Sequence, residues 1–228
     1  MSDQPRPRVL VVDDEPQILR ALRVILRESG FEALPASTGE EALDLAALQH
    51  PDAGIVDLLL PDIDGVELCR RLREWTDIPL IVLSAVGDED AKVRALAAGA
   101  DDYVTKPFGP RELIARLQAA LRRIQPGPEL PVIAADGLEV DLARRTVLID
   151  GREVHLTPTE FDLLRQLVRN RGRLMTHRDL LVSVWGPGYG DDTQVLRAHI
   201  ANLRRKIEPP AGRRFIRTDP GVGYRFAA

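Results

Sequence analysis

The chain has 228 residues, of which 44% are hydrophobic and 29% charged, and its formal net charge is −4. This length suits two domains of ordinary size, each with its own core. No apolar run approaches the roughly 20 residues needed to cross a bilayer, and the N-terminus opens no apolar signal segment. With a single cysteine, Cys69, the composition argues against a secreted disulfide-stabilised or membrane protein, and a cytoplasmic protein is expected.

Charge is distributed unevenly along the chain. Residues 1–124 carry 22 Asp and Glu against 15 Lys and Arg, whereas residues 125–228 carry 13 against 16. Between residues 197 and 217, seven side chains are basic and only Glu208 is acidic. The second half therefore concentrates positive charge where a polyanion could bind.

The first half alternates short apolar runs with segments of helical periodicity. The run at residues 9–12 is followed by Pro16 and by apolar residues at helical spacing up to Gly30. Thr38 and Glu41 have the spacing of a capping box that opens the next helix. The alternation continues through Ile124 and predicts five βα units, hence an α/β domain over residues 1–124 with a five-stranded, doubly wound parallel sheet.

Functional side chains follow four of the predicted strands. Because the carboxyl ends of parallel strands share one edge of the sheet, these residues are expected to converge on one crevice: Asp13, Asp14, Asp57, Ser84 and Lys106. Three carboxylates need a cation, and hard oxygen ligands suit Mg²⁺. With a lysine and a hydroxyl added, the site could hold a phosphoryl group on Asp57, because carboxylates accept phosphoryl groups as aspartyl phosphates.

A second domain is predicted after a proline-rich linker. Residues 125–131 contain three prolines and break every periodicity, which indicates a semi-rigid boundary. Residues 132–228 then show short strands with a hairpin turn at Asp150-Gly151, three helices, and a terminal hairpin. An α+β domain is expected, with Trp185 packed in its small core.

The third helix of this domain, from about Thr193, carries polar residues opposite its apolar stripe. Arginine can pair with guanine, asparagine with adenine, and alanine permits close approach, so the helix suits a DNA major groove. Arg204 and Arg205 are expected mainly to hold the phosphate backbone. The predicted DNA-binding residues are Arg197, Ala201, Asn202, Arg204 and Arg205, with Thr218 on the terminal hairpin.

Both halves resemble one family. Asp13-Asp14, Asp57, Ser84-Ala85 and Lys106-Pro107, in this order at strand ends, resemble the receiver domain of two-component response regulators. The segments 156–161 and 223–226 resemble the winged helix-turn-helix domain of the OmpR/PhoB subfamily. The resemblance covers nearly the whole chain and implies a transcription regulator that a sensor histidine kinase activates by phosphorylating Asp57.

The resemblance also implies roles for individual residues. Asp14, Asp57 and the backbone carbonyl of Leu59 would bind Mg²⁺ directly, with Asp13 acting through water. Lys106 would pair with the phosphoryl oxygens and precede a cis peptide bond to Pro107. Ser84 would donate to the phosphoryl group, and Tyr103 would be the aromatic residue that rotates inward on activation.

A dimer interface and further partners are implied as well. In OmpR/PhoB receivers a charged face pairs with itself across a two-fold axis, which implies the pairs Lys92 with Glu112, Asp102 with Arg116, and Asp101 with Arg123. Such pairs set register more than affinity. Double-stranded DNA, the kinase and RNA polymerase are the other expected partners, and no membrane is expected.

Two alternatives remain open at this stage. A haloacid-dehalogenase-like phosphatase also uses an aspartyl nucleophile, but it would need an acid two residues later, where Leu59 stands. A DNA-binding protein that never uses its receiver is disfavoured by the acidic pocket. Within the family, the segments 73–75, 83–85 and 184–187 are most similar to the Kdp-type potassium-uptake regulators.

Overall fold

The computed structural model describes the chain in four stretches: residues 6–85, 89–124, 132–189 and 192–227. Contacts divide the chain into two compact units, Met1–Leu121 and Arg122–Ala228. The predicted linker, residues 125–131, lies outside the described residues, so the domain boundaries on either side of it stay predictions. None of the described helices is long and apolar enough to span a membrane.

A five-stranded parallel sheet forms the centre of the first unit, as predicted. Its strands are β1 (Arg8–Val12), β2 (Glu32–Ala36), β3 (Ala53–Asp57), β4 (Leu80–Ala85) and β5 (Asp102–Lys106). Their spatial order is β2-β1-β3-β4-β5. The chain winds outward in both directions from β1 and β3, which leaves a crevice at their carboxyl ends.

Five helices connect and cover these strands. They are α1 (Pro16–Glu28), α2 (Gly39–Gln49), α3 (Gly65–Leu72), α4 (Glu89–Ala97) and α5 (Pro110–Ile124). Alternate residues of the strands, such as Val9 and Ile55, face one side of the sheet and share a core with Leu22 of α1 and Leu117 of α5. This period of two follows from the pleat, and each such buried side chain contributes about 1.5–3 kcal/mol.

Strand register brings the functional residues together at the carboxyl edge. Val12 of β1 is aligned with Val56 of β3, so Asp13 and Asp57, one residue further on, are neighbours. Asp57 is in turn aligned with Leu83 of β4, the residue before Ser84. The sheet therefore fixes the placement of these side chains before any loop contributes.

The second unit begins with a four-stranded antiparallel sheet and ends with a three-stranded one. The first contains β6 (Val132–Ala135), β7 (Leu138–Asp141), β8 (Thr146–Ile149) and β9 (Arg152–Glu153). The second contains β10 (Leu174–Thr176), β11 (Ile216–Asp219) and β12 (Gly223–Phe226), in the order β10-β12-β11. The terminal hairpin was predicted, whereas β10, only three residues long, was not.

Three helices lie between these sheets in sequence: α6 (Pro158–Arg169), α7 (His177–Val184) and α8 (Thr193–Ala211). The start of α6 is a capping box, in which Thr157 N–H donates to Glu160 Oε2 at 2.8 Å and Glu160 N–H donates to Thr157 Oγ1 at 3.4 Å. Trp185 is buried, with its ring centroid 5.3 Å from that of His199. The expected core position of Trp185 is confirmed.

Candidate functional site

The acidic residues at the ends of β1 and β3 form a compact cluster. Asp13, Asp14 and Asp57 each offer a carboxylate oxygen, and these three oxygens lie within 4.8 Å of one another. Asp13 and Asp57 are buried, whereas Asp14 is exposed. Carboxylates this close repel one another unless positive charge is supplied.

Lys106, at the end of β5, supplies part of that charge. Its Nζ lies 2.8 Å from Asp13 Oδ2 and 3.1 Å from Asp57 Oδ1. Burial alone would lower the pKa of Lys106, but its hydrogen bonds and the negative charges of the two aspartates outweigh burial, so the pKa is raised. The lysine is therefore held as a cation beside Asp57.

Asp57 remains short of positive charge in spite of this lysine. Burial raises its pKa, the charge and hydrogen bond of Lys106 lower it only in part, and the charge of Asp13 raises it further. A divalent cation bound to the three carboxylates would reverse this imbalance. The donor set, all hard oxygen ligands with access to solvent through Asp14, fits Mg²⁺.

Ser84, at the end of β4, carries a polar atom without a partner. Its Oγ is buried and makes no hydrogen bond among the described residues. An unsatisfied buried hydroxyl costs about 1–3 kcal/mol. An oxygen-rich group attached to Asp57 could accept a hydrogen bond from this hydroxyl. Ser84 and Lys106 therefore make the site complementary to an anion, which Asp57 alone would repel.

Leu59 and Gly65, which both follow Asp57 in the chain, are important to the site through their backbone atoms. Leu59 is 74% exposed, and its expected contact with a metal uses the backbone carbonyl and not the side chain. Gly65 begins α3, and a Cβ at this position would collide with the carbonyl oxygen of Asp57 and with Leu58 Cα. This close approach joins segments that are apart in sequence, so only the tertiary structure reveals it.

Tyr103, in β5, is half-buried and packs beside a buried lysine. Lys92 Nζ lies 4.8 Å from the centroid of the Tyr103 ring and 2.9 Å from Glu89 Oε1. The Lys92 side chain is only 7% exposed. The predicted switch residue and a predicted interface residue are thus in direct contact.

Three further predicted interface charges are already paired with one another within the chain: Asp102, Glu112 and Arg116. Arg116 Nη1 lies 3.1 Å from Asp102 Oδ1, and Arg116 Nη2 lies 2.9 Å from Glu112 Oε1. The side chain of Arg123 lies outside the described residues. The structure therefore brings Asp102 and Arg116 together, but within one protomer.

Asp101 is buried and paired within its own protomer. It was expected to form an interface pair with Arg123, yet it is fully buried. Its Oδ2 accepts hydrogen bonds from Arg73 Nη2 at 2.7 Å and from the Leu80 N–H at 2.9 Å. Because removing one partner of a buried ion pair costs about 3–5 kcal/mol, this pair of Asp101 serves the fold of the protomer. The pairing of Asp101 with Arg123 across the interface stays a prediction.

On α8, most of the predicted DNA-binding residues are accessible. Arg197, Ala201 and Arg205 are exposed, and so is Thr218 on β11. Asn202 is the exception, because it is 3% exposed and its Oδ1 accepts a hydrogen bond from Arg205 Nη2 at 2.9 Å. The expectation that Asn202 faces outward to read adenine was wrong.

Arg204 connects α8 to the terminal hairpin. Its Nη2 donates to the Ile216 carbonyl at 2.8 Å and to Thr218 Oγ1 at 2.9 Å, and its guanidinium lies 5.7 Å from the centroid of the Tyr224 ring. With Arg214 and Arg217 it lines a groove between helix and hairpin. The groove presents the positive charge that a phosphate backbone requires.

Comparison with known proteins supports both halves of this description. The family described as "Response regulator receiver domain" matches residues 9–118, and the family described as "Transcriptional regulatory protein, C terminal" matches residues 151–226. The crystal structure of the response regulator DrrB, a Thermotoga maritima OmpR/PhoB homologue, is 32% identical, with a TM-score of 0.53. That comparison covers 98% of this chain and 100% of DrrB.

Two relatives match over nearly their full length. The transcriptional regulatory protein KdpE of Mycobacterium tuberculosis is 53% identical, over 96% of this chain and 99% of the relative. The KDP operon transcriptional regulatory protein KdpE of Escherichia coli is 47% identical, over 96% of this chain and 98% of the relative. Taken with the two family matches, this similarity shows that the chain belongs to the OmpR/PhoB family of two-component response regulators, which are phosphorylation-activated and DNA-binding.

Proposed function

We propose that Asp57 is the phosphoacceptor, and that the cluster around it is the site of phosphoryl transfer from a sensor histidine kinase. The observation that carries this proposal is the convergence of Asp57 with two further carboxylates, Lys106 Nζ at 3.1 Å and the unsatisfied hydroxyl of Ser84. An oxygen of Asp57 attacks phosphorus, the phosphorus–nitrogen bond of the phosphohistidine breaks, and the histidine leaves.

Each residue of the site has a part in this step. Asp14, Asp57 and the Leu59 carbonyl would hold Mg²⁺, with Asp13 acting through water. When bound, the ion supplies neutralising charge to the phosphoryl oxygens. Lys106 moves from the carboxylates to the phosphoryl group, and Ser84 donates its hydroxyl to a phosphoryl oxygen. The catalysis proposed for the protein is limited to its own phosphorylation and dephosphorylation.

Dimerisation is the proposed output of the receiver. Phosphorylation moves Ser84 and Tyr103, and the face that carries Lys92, Glu112, Asp102 and Arg116 then pairs with the same face of a second protomer. A two-fold interface requires a self-complementary patch, and this charge set is self-complementary. Phosphorylation can favour the dimer only by stabilising the dimerising conformer over the other one.

The proposed target is promoter DNA with repeated half-sites. Helix α8 enters the major groove with Arg197 and Ala201, while Arg204 and Arg205 hold phosphates and Thr218 lies at the edge of the hairpin. RNA polymerase would be the partner of the DNA-bound dimer. Because the kinase domain that would phosphorylate the protein and the DNA that it would bind are inside the cell, the protein would act in the cytoplasm.

Potassium-uptake genes are the proposed regulon, because the two relatives named above are both KdpE proteins and one is a regulator of the KDP operon. Deleting the gene should then abolish the induction of those genes when potassium becomes scarce. Intact induction in the deletion strain would rule out potassium-uptake genes as the regulon, but it would not affect the proposal that Asp57 is the phosphoacceptor.

The phosphoacceptor role is tested with a small phosphodonor. Wild-type protein incubated with acetyl phosphate and Mg²⁺ should gain the mass of one phosphoryl group, and the adduct should be absent in Asp57→Asn and when EDTA replaces the metal. A phosphorylated Asp57→Asn protein would place the phosphoacceptor elsewhere.

A further inference from the structure

The loop between β3 and α3, residues 58–64, is attached to α2 by the Asp62 carboxylate. Oδ1 of Asp62 accepts a hydrogen bond from the Gly39 N–H at 2.9 Å, and Oδ2 accepts one from the Glu40 N–H at 2.9 Å. Both donors belong to the first turn of α2, where N–H groups have no acceptor within the helix. One side chain thus satisfies two backbone donors that are more than 20 positions away in sequence.

The residues around the start of α2 leave these two donors to Asp62. Thr38 Oγ1 accepts a hydrogen bond from the Glu41 N–H at 3.2 Å, and the Glu41 carboxylate turns back to the Ser37 N–H at 2.7 Å. The two hydrogen bonds from Gly39 and Glu40 are the main reason that the pKa of Asp62 is lowered. Asp62 therefore acts as an anion at the positive end of the helix.

Close packing fixes the same loop at two further points. A Cβ on Gly39 would collide with the Ile63 side chain, so the absence of a side chain at Gly39 makes room for the loop. At the other end, Gly65 lies against the Asp57 carbonyl and donates its N–H to the Leu58 carbonyl at 3.0 Å. The loop is held at α2 by Asp62 and Ile63 and at β3 by Gly65.

The placement of this loop affects the metal site, because the loop includes Leu59. The carbonyl of Leu59, three residues before Asp62, is a proposed metal ligand. A backbone oxygen on an exposed loop can bind a metal well only if the loop holds it in place. We propose that Asp62 is a positioning residue for the metal site: by attaching the loop to α2, its carboxylate sets the position of the Leu59 carbonyl. This inference rests on the proposed Mg²⁺ site.

The test is the Mg²⁺ affinity of full-length Asp62→Asn and Asp62→Ala, measured by isothermal titration calorimetry. Asparagine retains one acceptor oxygen and alanine retains none, so the loss of affinity should be graded. Outer-shell groups typically contribute 10–100-fold to metal affinity, and we expect an increase in the Mg²⁺ dissociation constant of about tenfold in Asp62→Ala and less in Asp62→Asn. At saturating Mg²⁺ the rate of phosphorylation by acetyl phosphate should return to near the wild-type rate.

Asp64→Asn is the matched control. Asp64 lies in the same loop and caps α3 through the Val66 N–H at 2.8 Å, but its hydrogen bond does not reach α2. Asparagine caps helices as well as aspartate does, so this variant removes the same charge and keeps its cap. Its Mg²⁺ affinity should change less than that of Asp62→Asn.

Several outcomes would overturn the proposal. Unchanged Mg²⁺ affinity in both Asp62 variants, with only a lower melting temperature, would make Asp62 a helix cap and nothing more. An equal loss in Asp64→Asn would attribute the effect to the lost charge alone. Wild-type protein that binds no Mg²⁺ would overturn the metal site itself, a failure that the wild-type titration identifies before any variant is compared.

Discussion

Lys92 and Tyr103 form a cation–π contact on the receiver, with the lysine Nζ 4.8 Å from the ring centroid. One of these residues is a proposed interface charge and the other is the proposed switch. Rotation of Tyr103 toward the core would remove the ring from Lys92 and free the ammonium to find another partner. The contact therefore gives a physical route from the phosphorylated pocket to the dimer face.

Replacing Tyr103 with alanine should uncouple phosphorylation from dimerisation. Asp57 and its ligands are unchanged, so the variant should accept phosphate from acetyl phosphate, but its dimerisation constant should respond little to phosphorylation, because no ring remains to rotate away from Lys92. Sedimentation with beryllofluoride as the phosphoryl mimic measures this, and Tyr103→Phe, which keeps the ring, is the control. A normal dimer yield in Tyr103→Ala would show that this residue is not the switch.

Removing Glu89 should favour the unphosphorylated dimer. Glu89 holds Lys92 within the protomer at 2.9 Å, and this pair must break before Lys92 can reach Glu112 of the partner subunit. A partly exposed ion pair is worth up to about 1 kcal/mol, so Glu89→Gln should dimerise about 2–5-fold more tightly without the mimic.

The control for Glu89 is its neighbour on α4. Asp90 is exposed, and Asp90→Asn makes the same change in net charge. Equal effects of Glu89→Gln and Asp90→Asn on the dimerisation constant would trace the change to net charge and not to the release of Lys92.

Arg204→Ala should weaken binding to all DNA sequences and reduce the slope of affinity against salt by about 1, as loss of a phosphate contact does. The variant also loses the hydrogen bonds to the Ile216 carbonyl and Thr218 Oγ1. Arg204→Lys keeps the positive charge but loses the several N–H donors of the guanidinium. Comparing the DNA affinities of the two variants by fluorescence anisotropy therefore separates the effect of the charge from the effect of the hydrogen bonds to the hairpin. A change in sequence preference at unchanged affinity would contradict the phosphate role.

Cys69 should be unreactive in the folded protein. Burial raises the pKa of its thiol to about 12, with Arg73 lowering it only in part. The unfolded thiol, with its ordinary pKa of 9.0, ionises first as the pH rises, so the folded state loses stability progressively between about pH 9 and about pH 12 and is unaffected at lower pH. At pH 8 a thiol reagent should label the native protein at least about 100-fold more slowly than the denatured protein. Equally fast labelling would show that the thiol is accessible.

Much of the site could be predicted from the sequence, because strand ends and helix caps are local signals. Asp57 and Ser84 follow apolar runs, and parallel strands bring such residues to one edge whatever the loops do. The predicted cap at Thr38, which accepts the Glu41 N–H at 3.2 Å, is likewise contained in four consecutive residues. The α/β receiver, the second α+β domain with its terminal hairpin, and the family were predicted for this reason.

What the sequence did not reveal depends on contacts between distant segments. Asp101 is a residue type that usually lies at the surface, but here it is buried in an ion pair with Arg73, 28 positions earlier. Asn202 lies three residues after His199 and one before Leu203, so a helix turning 100° per residue places it at the edge of the buried stripe, where polarity alone suggested the opposite face. The attachment of Asp62 to α2 joins residues more than 20 positions apart, so no local sequence pattern indicates it.

Analytical ultracentrifugation with Mg²⁺, with and without beryllofluoride, on wild type and Asp57→Ala would decide whether phosphorylation of Asp57 drives dimerisation. Wild-type protein should become a dimer only with the mimic, and Asp57→Ala should stay a monomer under both conditions. A wild-type mass that does not respond to the mimic, whether monomeric or already doubled, would contradict the claim that phosphorylation of Asp57 drives dimerisation.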